Sequence, residues 1–421
     1  MHGLNVLRQR EFRLFFTGYS TSLLGSSMSA VALAFAVLDD GFGASGLGQV
    51  LAAVPATQLL FMLIGGVVAD RFGPRRIMLA GDAVRCGAQS ALAVAILAGG
   101  HPGLWLFIVL SAVRGLGEAF FNPGLSALVV RTVQRDGIGD ANALLGTSQS
   151  IARIAGPALA GVLVAVTSPG VVVAIDAGTY ICSLLALSLL RVREESSSQS
   201  AARRPSMLRS LSDGWSEFTS RRWLVASTLQ FTSINLVVWG PFLVLGPVLA
   251  HQHQPASGAR EWGVVMGGYG VGSILGGLLA LGRRPSRPLV VATLSSIGYA
   301  APCVLLALQA PAGVIAGGAC LAGIGSTVSA ALSDTVTQLL TPVGVLARVR
   351  TFQTFGAFSL GPLALVLAGP VASHVGARAV LAFGAAWTVA CAVAVLALPS
   401  IRTVRWPAER NEHKTAVPIA N

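Results

Sequence analysis

The sequence predicts an all-α polytopic membrane protein with twelve transmembrane helices in two six-helix halves, and three observations support this prediction. Of the 421 residues, 53% are hydrophobic and 11% are charged, whereas about a quarter of the residues in soluble domains are charged. Apolar runs long enough for a helix to cross the hydrocarbon core, about 20 residues, recur along the chain. One long polar interruption, residues 191–222, separates six of these runs from the next six.

The apolar runs give approximate bounds for the predicted helices. They lie near residues 14–38, 47–69, 77–98, 104–130, 141–166 and 170–190 in the first half, and near residues 223–249, 262–282, 288–308, 312–340, 350–372 and 377–400 in the second half. The first run is longer than the apolar core of a cleaved signal peptide and lacks a clear small-residue cleavage site. We therefore expect it to be retained as the first membrane helix.

Arginine and lysine are distributed unevenly between alternate loops. Of the 29 Lys and Arg residues, 24 lie in segments on one side of the predicted bundle, and the opposite loops hold only Arg260 and Arg378. Cytoplasmic loops carry an excess of these residues, so we expect both termini in the cytoplasm. The protein is then a multi-pass protein of the cell inner (cytoplasmic) membrane, and its arginine-rich, alanine-rich composition is typical of a GC-rich bacterial genome.

Several function classes are disfavoured by composition. The net charge of +12 falls in short clusters between apolar runs and does not form one basic face for nucleic acid. The five cysteines lie in apolar runs without metal-ligand spacing, so we expect neither disulfides nor a metal. His251 and His253 fall in an outer loop, where a metal site is the less favoured interpretation. Since the chain has no GxxxxGK[ST] loop and no nucleophile triad, we expect neither an enzyme nor a cofactor.

The polar interruption sets the domain organisation. We predict a first half at 1–190, a cytoplasmic linker at 191–222, a second half at 223–400 and a cytoplasmic tail at 401–421. The serine-rich start of the linker predicts flexible chain. Farther along, Met207, Leu211, Trp215 and Phe218 follow helical spacing, which favours an amphipathic helix on the membrane surface. A solvated linker helix is the alternative.

The two halves contain similar segments. GGVVADRFGPRR (65–76) has a counterpart in GGLLALGRRPSR (276–287), and GPALAG (156–161) in GPLALVLAG (361–369). Parallel six-helix repeats are an architecture of secondary transporters, whose substrate sites lie near the midplane between the repeats. Chance similarity among glycine- and alanine-rich helices is the alternative.

Residues between the second and third predicted helices resemble the signature loop of the major facilitator superfamily. They are Gly66, Asp70, Arg71, Gly73, Arg75 and Arg76. Three further segments resemble the branch of proton-coupled drug, macrolide and siderophore exporters: RGLGEAFFNP (114–123), DANALLGTSQSIARIAGPALAG (140–161) and LRSLSDGWSEF in the linker. The resemblance covers nearly the whole chain.

This resemblance implies a secondary active transporter that exports a small lipophilic molecule, such as a drug, an antibiotic or a siderophore-like compound, by alternating access with proton antiport. Its partners would be the small-molecule substrate, protons and the lipid bilayer, and the usual state of the family is a monomer. Two alternatives remain open. One is a proton-coupled importer of a small nutrient, and the other is a non-transporting membrane receptor or partner-binding protein on the same fold.

By resemblance, the signature loop is a conformational latch that holds the two halves in the outward-open state. Gly66 permits close helix approach and Gly73 permits a tight turn. Asp70 is costly at the membrane boundary unless it pairs with an arginine or a helix N-terminus. For Arg75 and Arg76, the alternative is that they only set the topology.

The segment RIAGPALAG (153–161) resembles the antiporter motif of the fifth helix, although Ala160 replaces the penultimate glycine of that motif. Pro157 removes one helix hydrogen bond, and Gly156 and Gly161 leave a smooth surface. We expect a kinked, closely packed hinge that takes part in antiport. Packing alone is the alternative.

Three charged residues are predicted at a similar depth near the midplane. Arg114 lies about 15 Å from the outer end of its helix, Glu118 follows one turn later on the same face, and Arg153 reaches a comparable depth in the next helix. In the proton-coupling interpretation, Glu118 carries the proton and the two arginines bias its release. A permanent Arg114–Glu118 pair and direct substrate binding are the alternatives.

Other embedded acids are weaker candidates for proton coupling. Asp82 and Arg85 are predicted to form a structural i,i+3 pair near the cytoplasmic side. Asp176 lies near the outer end of its helix and Asp334 near the inner end, so partial hydration is expected for both.

The resemblance implies that the first, fourth, seventh and tenth helices line the substrate cavity. The candidate lining residues are Met28, Phe121, Asn122, Gln230, Asn235 and Trp239, with Phe35, Ser326, Ser329 and Ser333 in addition. This mixture of apolar, aromatic, amide and hydroxyl groups suits a lipophilic, partly polar molecule.

Overall fold

The computed structural model describes residues 6–99, 101–134, 137–191, 207–255 and 257–406, and these residues form helices without a strand. Helices α1 to α6 are Arg10–Asp39, Gly43–Phe72, Pro74–Leu97, Leu104–Thr132, Ile138–Val166 and Pro169–Leu189. A short helix, α7 (Met207–Ser220), precedes the second half. Helices α8 to α13 are Arg222–His253, Gly258–Ala280, Pro288–Ala307, Ala312–Leu340, Val343–Phe358 continued by Gly361–Val375, and Ala377–Ala397, and the turn Pro399–Arg402 follows.

Within the described residues, eleven helices are long and apolar enough to cross a membrane. The chain is therefore a multi-pass membrane protein, and the predicted fold class is confirmed. Helix α3 is a twelfth long helix but is less apolar, because Asp82 and Arg85 lie in its middle. It packs against α4 and α6, and both charged side chains are buried. Since these two charges face protein, α3 can lie within the bundle.

Three helices of the second half depart from regular α geometry. Helix α8 contains a π-helical turn at Asn235–Trp239, and α10 contains a 3₁₀ turn at Ser296–Tyr299. Helix α12 is interrupted at residues 359–360, and Gly361 starts its second segment. Such local changes often mark positions where a helix bends or serves a functional site. Hydropathy alone does not predict them.

The helices cross the bundle alternately, so their connections lie at two opposite faces. The terminal face holds the α2–α3 turn, the end of α6, α7 and the start of α8, and the described chain begins and ends there. The distal face holds the α1–α2, α5–α6, α8–α9 and α12–α13 turns. Both names refer to the bundle alone and not to the sides of a membrane.

The two halves are joined near the distal face, where α2 packs against α12 and α5 packs against α9. Glycines permit these close approaches. A Cβ on Gly369 of α12 would lie 2.5 Å from the Ser45 Cα, and a Cβ on Gly263 of α9 would lie 2.9 Å from the Pro157 carbonyl oxygen. One apolar core contains residues of α1, α2, α8, α9 and α12. The distal face is therefore closed in this conformation.

Helix α7 lies at the terminal face and packs against α12. Phe218 is buried, with its ring centroid 6.4 Å from that of Phe352, and Trp215 contacts the same ring at 5.5 Å. The predicted linker helix is thus present, and its described aromatic rings contact protein. The side chains of Met207 and Leu211 lie outside the part of the chain that the structure describes.

Candidate functional site

The turn between α2 and α3 has the tight conformation that the sequence predicts. Gly73 has a φ of +85°, which favours glycine, and Pro74 starts α3. Arg75 donates from Nε to the Leu187 carbonyl oxygen at 2.8 Å and from Nη2 to that of Ser188 at 2.6 Å. These carbonyls lie in the last turn of α6, where a cation offsets the partial negative charge of the helix end. Arg75 therefore ties α3 to α6 within the first half.

The other residues of the predicted latch lie in the last turns of α2 and at the start of α3. Arg71 is exposed, and its guanidinium carbon lies 5.6 Å from the Phe72 ring centroid. Arg76 is also exposed. Gly66 and Asp70 belong to α2, but the structure does not describe their side chains. The predicted latch belongs to a state in which the terminal face is closed, so it stays a prediction.

The predicted hinge lies where three helices meet. Helix α5 runs unbroken through Pro157. A Cβ on Gly156 would lie 3.0 Å from the Ser27 carbonyl carbon of α1, and a Cβ on Gly161 would lie 3.0 Å from the Gly263 Cα of α9. Since α1 belongs to the same half as α5 and α9 to the other half, this segment forms the junction between the halves. Its movement as a hinge stays a prediction.

A buried ion pair lies inside the first half. The Arg114 Nη1 atom on α4 is 3.8 Å from the Asp176 Oδ2 atom on α6, and the side chains are 12% and 0% exposed. Breaking such a pair leaves an uncompensated buried charge, which is strongly unfavourable. The expectation that Asp176 is partly hydrated is therefore wrong. Helix α6 packs against α1 and α3, and the Asp176 carboxylate is buried in the interior of the first half.

Neutral hydrogen-bonding groups complete the surroundings of Asp176. Gln89 Nε2 of α3 donates to its Oδ2 at 2.5 Å and to Ser29 Oγ at 2.6 Å. Ser26 Oγ of α1 lies 3.5 Å from Asp176 Oδ1 and 2.8 Å from the Tyr180 hydroxyl. These groups replace the water that a carboxylate loses on burial. Helices α1, α3, α4 and α6 therefore converge on a single acid.

A second buried ion pair joins Asp82 and Arg85 on α3, nearer the terminal face, and the predicted i,i+3 pair is confirmed. Ser183 Oγ donates to the Asp82 carboxylate at 2.6 Å. The Arg85 guanidinium carbon lies 4.0 Å from the Phe121 ring centroid and 4.8 Å from that of Tyr180. Aromatic faces stabilise a desolvated cation, so the two rings stabilise the buried charge of Arg85.

Glu118 and Arg153 lie apart from these ion pairs. Glu118 follows Arg114 by one turn and is partly buried. Among the described residues, no cationic nitrogen lies within 4.0 Å of its carboxylate. Arg153 is exposed on α5, next to Ile154, which packs against Gly270 of α9. In this conformation, therefore, Glu118 is less constrained than the ion-paired Asp176. Arg153 lies at the junction of the halves.

A cavity of about 280 Å³ lies inside the second half, between α8, α10, α11 and α12, in the part nearer the terminal face. Its polar wall includes Gln230, Ser296, Ser326, Ser329, Ser333 and Thr354. Phe231, Tyr299 and Phe358 supply aromatic surface. At one edge, the Arg350 Nη2 atom lies 3.2 Å from the Asp334 Oδ1 atom, and both side chains are more than 40% exposed. The Asp334 carboxylate is thus accessible, and its partial hydration stays a prediction.

One hydrogen bond crosses the wall of this cavity. Gln230 Nε2 of α8 donates to Ser296 Oγ of α10 at 3.0 Å. Ser296 is the first residue of the 3₁₀ turn of α10, and the π-helical turn of α8 starts at Asn235, a little more than one turn after Gln230. The bond therefore joins two helices close to their irregular segments.

The predicted cavity residues of the first half do not line the cavity of the second half, and their contact with substrate stays a prediction. Met28 and Phe121 are buried in packing, Phe121 against Arg85, and Asn122 is exposed. Phe35 is also buried, in the core that joins the halves.

The predicted cavity residues of the second half divide into two groups. Gln230 lies in the cavity wall. Asn235 donates to the Phe231 carbonyl oxygen at 3.1 Å, and the Trp239 ring lies 4.8 Å from the Tyr269 ring, centroid to centroid. Asn235 and Trp239 therefore shape the helices around the cavity without lining it.

Sequence reasoning missed the contribution of α10 and α12. The resemblance directed attention to the first, fourth, seventh and tenth membrane helices, which are α1, α4, α8 and α11. However, Thr293 and Tyr299 of α10 and Gln353 of α12 also line the cavity. A signal was available in TLSSIGY (293–299), which places several hydroxyl groups in an apolar helix. Polar side chains in such a helix are expected to face protein or a water-filled cavity.

Comparisons with known proteins agree with this architecture. The sequence profile described as "Major Facilitator Superfamily" matches residues 15–363. The chain is similar to the multidrug efflux pump Tap of Mycolicibacterium fortuitum, with 26% identity over 368 residues that cover 85% of this chain and 88% of the relative. It is also similar to macrolide efflux protein A of Streptococcus pyogenes, with 22% identity over 64% of this chain and 65% of the relative.

Among solved structures, the nucleoside transporter NupG has the same fold. The two structures superimpose with a TM-score of 0.67 at 14% sequence identity, over 94% of this chain and 99% of that chain. At this identity the likeness concerns the fold alone.

Proposed function

We propose that this chain, which belongs to the Major Facilitator Superfamily, exports small lipophilic molecules by alternating access between its two halves. The observation that carries the proposal is the arrangement of one closed face and one cavity. The halves are sealed at the distal face, while a cavity with polar and aromatic walls lies toward the terminal face. Similarity to two proteins named for efflux supports export as the direction.

In this proposal, the terminal face is cytoplasmic and the distal face lies outside a bacterial cell. The concentration of arginine and lysine in the terminal-face segments supports this orientation in the cytoplasmic membrane. Substrate then enters the cavity from the cytoplasm or the inner leaflet. Rocking of the halves separates the α2–α12 and α5–α9 contacts near the distal face, which opens that face and releases the substrate outside. The transporter works as a monomer.

Proton antiport supplies the energy in this account. Glu118 carries the proton, and Arg114 lies between two possible carboxylate partners, one turn from Glu118 along α4 and 3.8 Å from Asp176. Arg114 stays paired with Asp176, and rocking changes how closely its positive charge approaches Glu118. Closer approach favours the ionised acid and the proton leaves, and withdrawal lets Glu118 be protonated again. Arg153 adds a second cation at the junction of the halves.

The signature loop and the α5 segment complete the cycle. When the terminal face closes, Asp70 and the arginines Arg71, Arg75 and Arg76 act as a latch between the halves. Gly156, Pro157 and Gly161 permit the change of angle at the junction. The latch role requires the Gly73 turn to hold the start of α3 close to the end of α2.

The proposal is tested with purified protein in proteoliposomes. A panel of lipophilic antibiotics, siderophores and small nutrients is offered, and movement is measured after a pH gradient is imposed in either direction. Export predicts that substrate moves against the proton flow. Movement of a small nutrient along with protons would overturn export in favour of import, and binding without flux of any compound would favour a receptor.

A further inference from the structure

A pair of ionisable residues connects the two halves at the distal face. The His251 Nδ1 atom, near the end of α8, lies 3.7 Å from the Asp39 Oδ1 atom at the end of α1. Helix α1 belongs to the first half and α8 to the second. The His251 side chain is 24% exposed and that of Asp39 is 51% exposed, so protons from the distal side can reach both groups.

The interaction depends on the charge of the imidazole. His251 Nδ1 is buried and makes no hydrogen bond with the described residues, and its ring packs 6.3 Å from the Phe35 ring, centroid to centroid. A neutral ring therefore contributes packing alone. A protonated ring gains electrostatic attraction to Asp39 as well. Histidine is the side chain whose charge ordinarily changes between pH 5 and 8.

Other charged groups near this end of α8 do not replace Asp39. The elements packed against α8 carry Asp40, Arg260, Glu261, His374 and Arg378 toward the distal face. Among the described residues, Asp39 alone has a charged atom within 4.0 Å of His251. The adjacent Asp40 pairs instead with His101, at 2.8 Å, and both of these residues belong to the first half.

We propose that His251 is a proton-sensitive gating residue, which pairs with Asp39 when it is protonated from the distal side and so stabilises the conformation with a closed distal face. The proposal rests on the proposed function, because it concerns the return of an exporter to the state that loads substrate. External acid favours the closed distal face, and this bias is lost as the external pH rises and the imidazole becomes neutral. His251 is distinct from the proposed proton carrier, since it lies at the distal face, whereas Glu118 lies deep in α4.

The experiment measures the separation of the halves at the distal face as a function of pH. Spin labels are attached to cysteines at Thr167 and Arg378, which are exposed and belong to opposite halves, after the five native cysteines are replaced. The measurement is made without substrate and in the Glu118→Gln background. The measured distance then depends neither on titration of the proposed proton carrier nor on whether the protein exports a substrate.

With His251 present, we expect the fraction with a closed distal face to rise severalfold between pH 8 and pH 5.5. His251→Gln should remove this rise, and Asp39→Asn should do the same from the other half. His251→Lys, which keeps a positive charge, should hold the distal face closed at both pH values. If one variant fails to fold, the remaining two still decide the question.

Two matched controls separate gating from a general effect of histidine. His253 lies on the same helix, is exposed, and lines a different pocket beside Trp262, so His253→Gln should keep the full pH response. His101→Gln removes a pair within one half and should also keep it. A full pH response in both His251→Gln and Asp39→Asn would overturn the proposal.

Discussion

The Arg114 guanidinium on α4 lies 3.8 Å from the Asp176 carboxylate on α6, while Glu118, one turn along the same helix as Arg114, has no described cation within 4.0 Å. One arginine thus stands between two acids in different environments. Asp176 is fully buried and hydrogen bonded, and Glu118 is partly buried. This difference supports the proposal that Asp176 is structural and that Glu118 exchanges protons.

The first prediction concerns the stability of this pair. Arg114→Gln and Asp176→Asn each leave one buried charge without its partner, so each should lower the free energy of unfolding by about 3–5 kcal/mol. The double variant should lose less than the sum of the two. Denaturant unfolding of all four proteins in mixed micelles measures the coupling, and Glu118→Gln serves as the control with little expected effect. Additive losses would contradict the pairing.

A second prediction concerns the glycine contact between α5 and α9. A Cβ on Gly161 would lie 2.6 Å from the Ala259 carbonyl oxygen, whereas a Cβ on Gly146 of the same helix meets nothing within 4 Å. Gly161→Ala should therefore separate the halves and increase the fraction with an open distal face. Gly146→Ala should leave that fraction unchanged. Spin-label distances across the distal face decide between these outcomes, and equal behaviour of the two variants would argue against a tight junction here.

The third prediction concerns the cavity of the second half. Ser329 lines it, and Thr335 is exposed on the same helix, α11. Ser329→Phe should fill part of the space of about 280 Å³ and weaken substrate binding at least tenfold, and Thr335→Phe should not. Equilibrium binding of a transported antibiotic to both purified variants provides the comparison. Unchanged affinity in Ser329→Phe would show that substrate binds elsewhere.

A fourth prediction concerns the charged edge of the cavity. Asp334 and Arg350 are both partly exposed, so their pairing should contribute little to stability, about 0–1 kcal/mol. Asp334→Asn should shift preference severalfold toward anionic substrates, and Arg350→Gln should shift it toward cationic ones. Because salt screens exposed charges, both shifts should decrease at high ionic strength. Transport of a cationic and an anionic dye is measured in parallel for both variants. Shifts of the same sign in the two variants would contradict this prediction.

Much of the fold follows from local properties of the sequence. Apolar runs locate the membrane helices because lipid demands apolar surface over a fixed length. The Gly73 turn and the Asp82–Arg85 pair are also local, since one depends on a single backbone conformation and the other on the spacing of one helix turn. Residues close in sequence therefore revealed their contacts.

Contacts between helices were harder to predict. Successive residues of a helix point in directions about 100° apart. A small error in the predicted rotation of α6 about its axis therefore changes whether Asp176 is expected to face water or Arg114. Hydropathy contains no information about that rotation. The same reason explains why α10 and α12 were not expected in the cavity wall, although the hydroxyl-rich TLSSIGY segment indicated an inward face.

The central claim is that export is coupled to protons through Glu118. It is tested most directly by proton-gradient-driven movement of a transported antibiotic in proteoliposomes, with the wild-type protein beside Glu118→Gln. We expect the wild type to respond to the gradient, and the variant to bind and exchange substrate without any response to the gradient. Gradient-driven transport by Glu118→Gln at the wild-type rate would contradict the account and direct attention to Asp334 or Asp176 as the proton carrier.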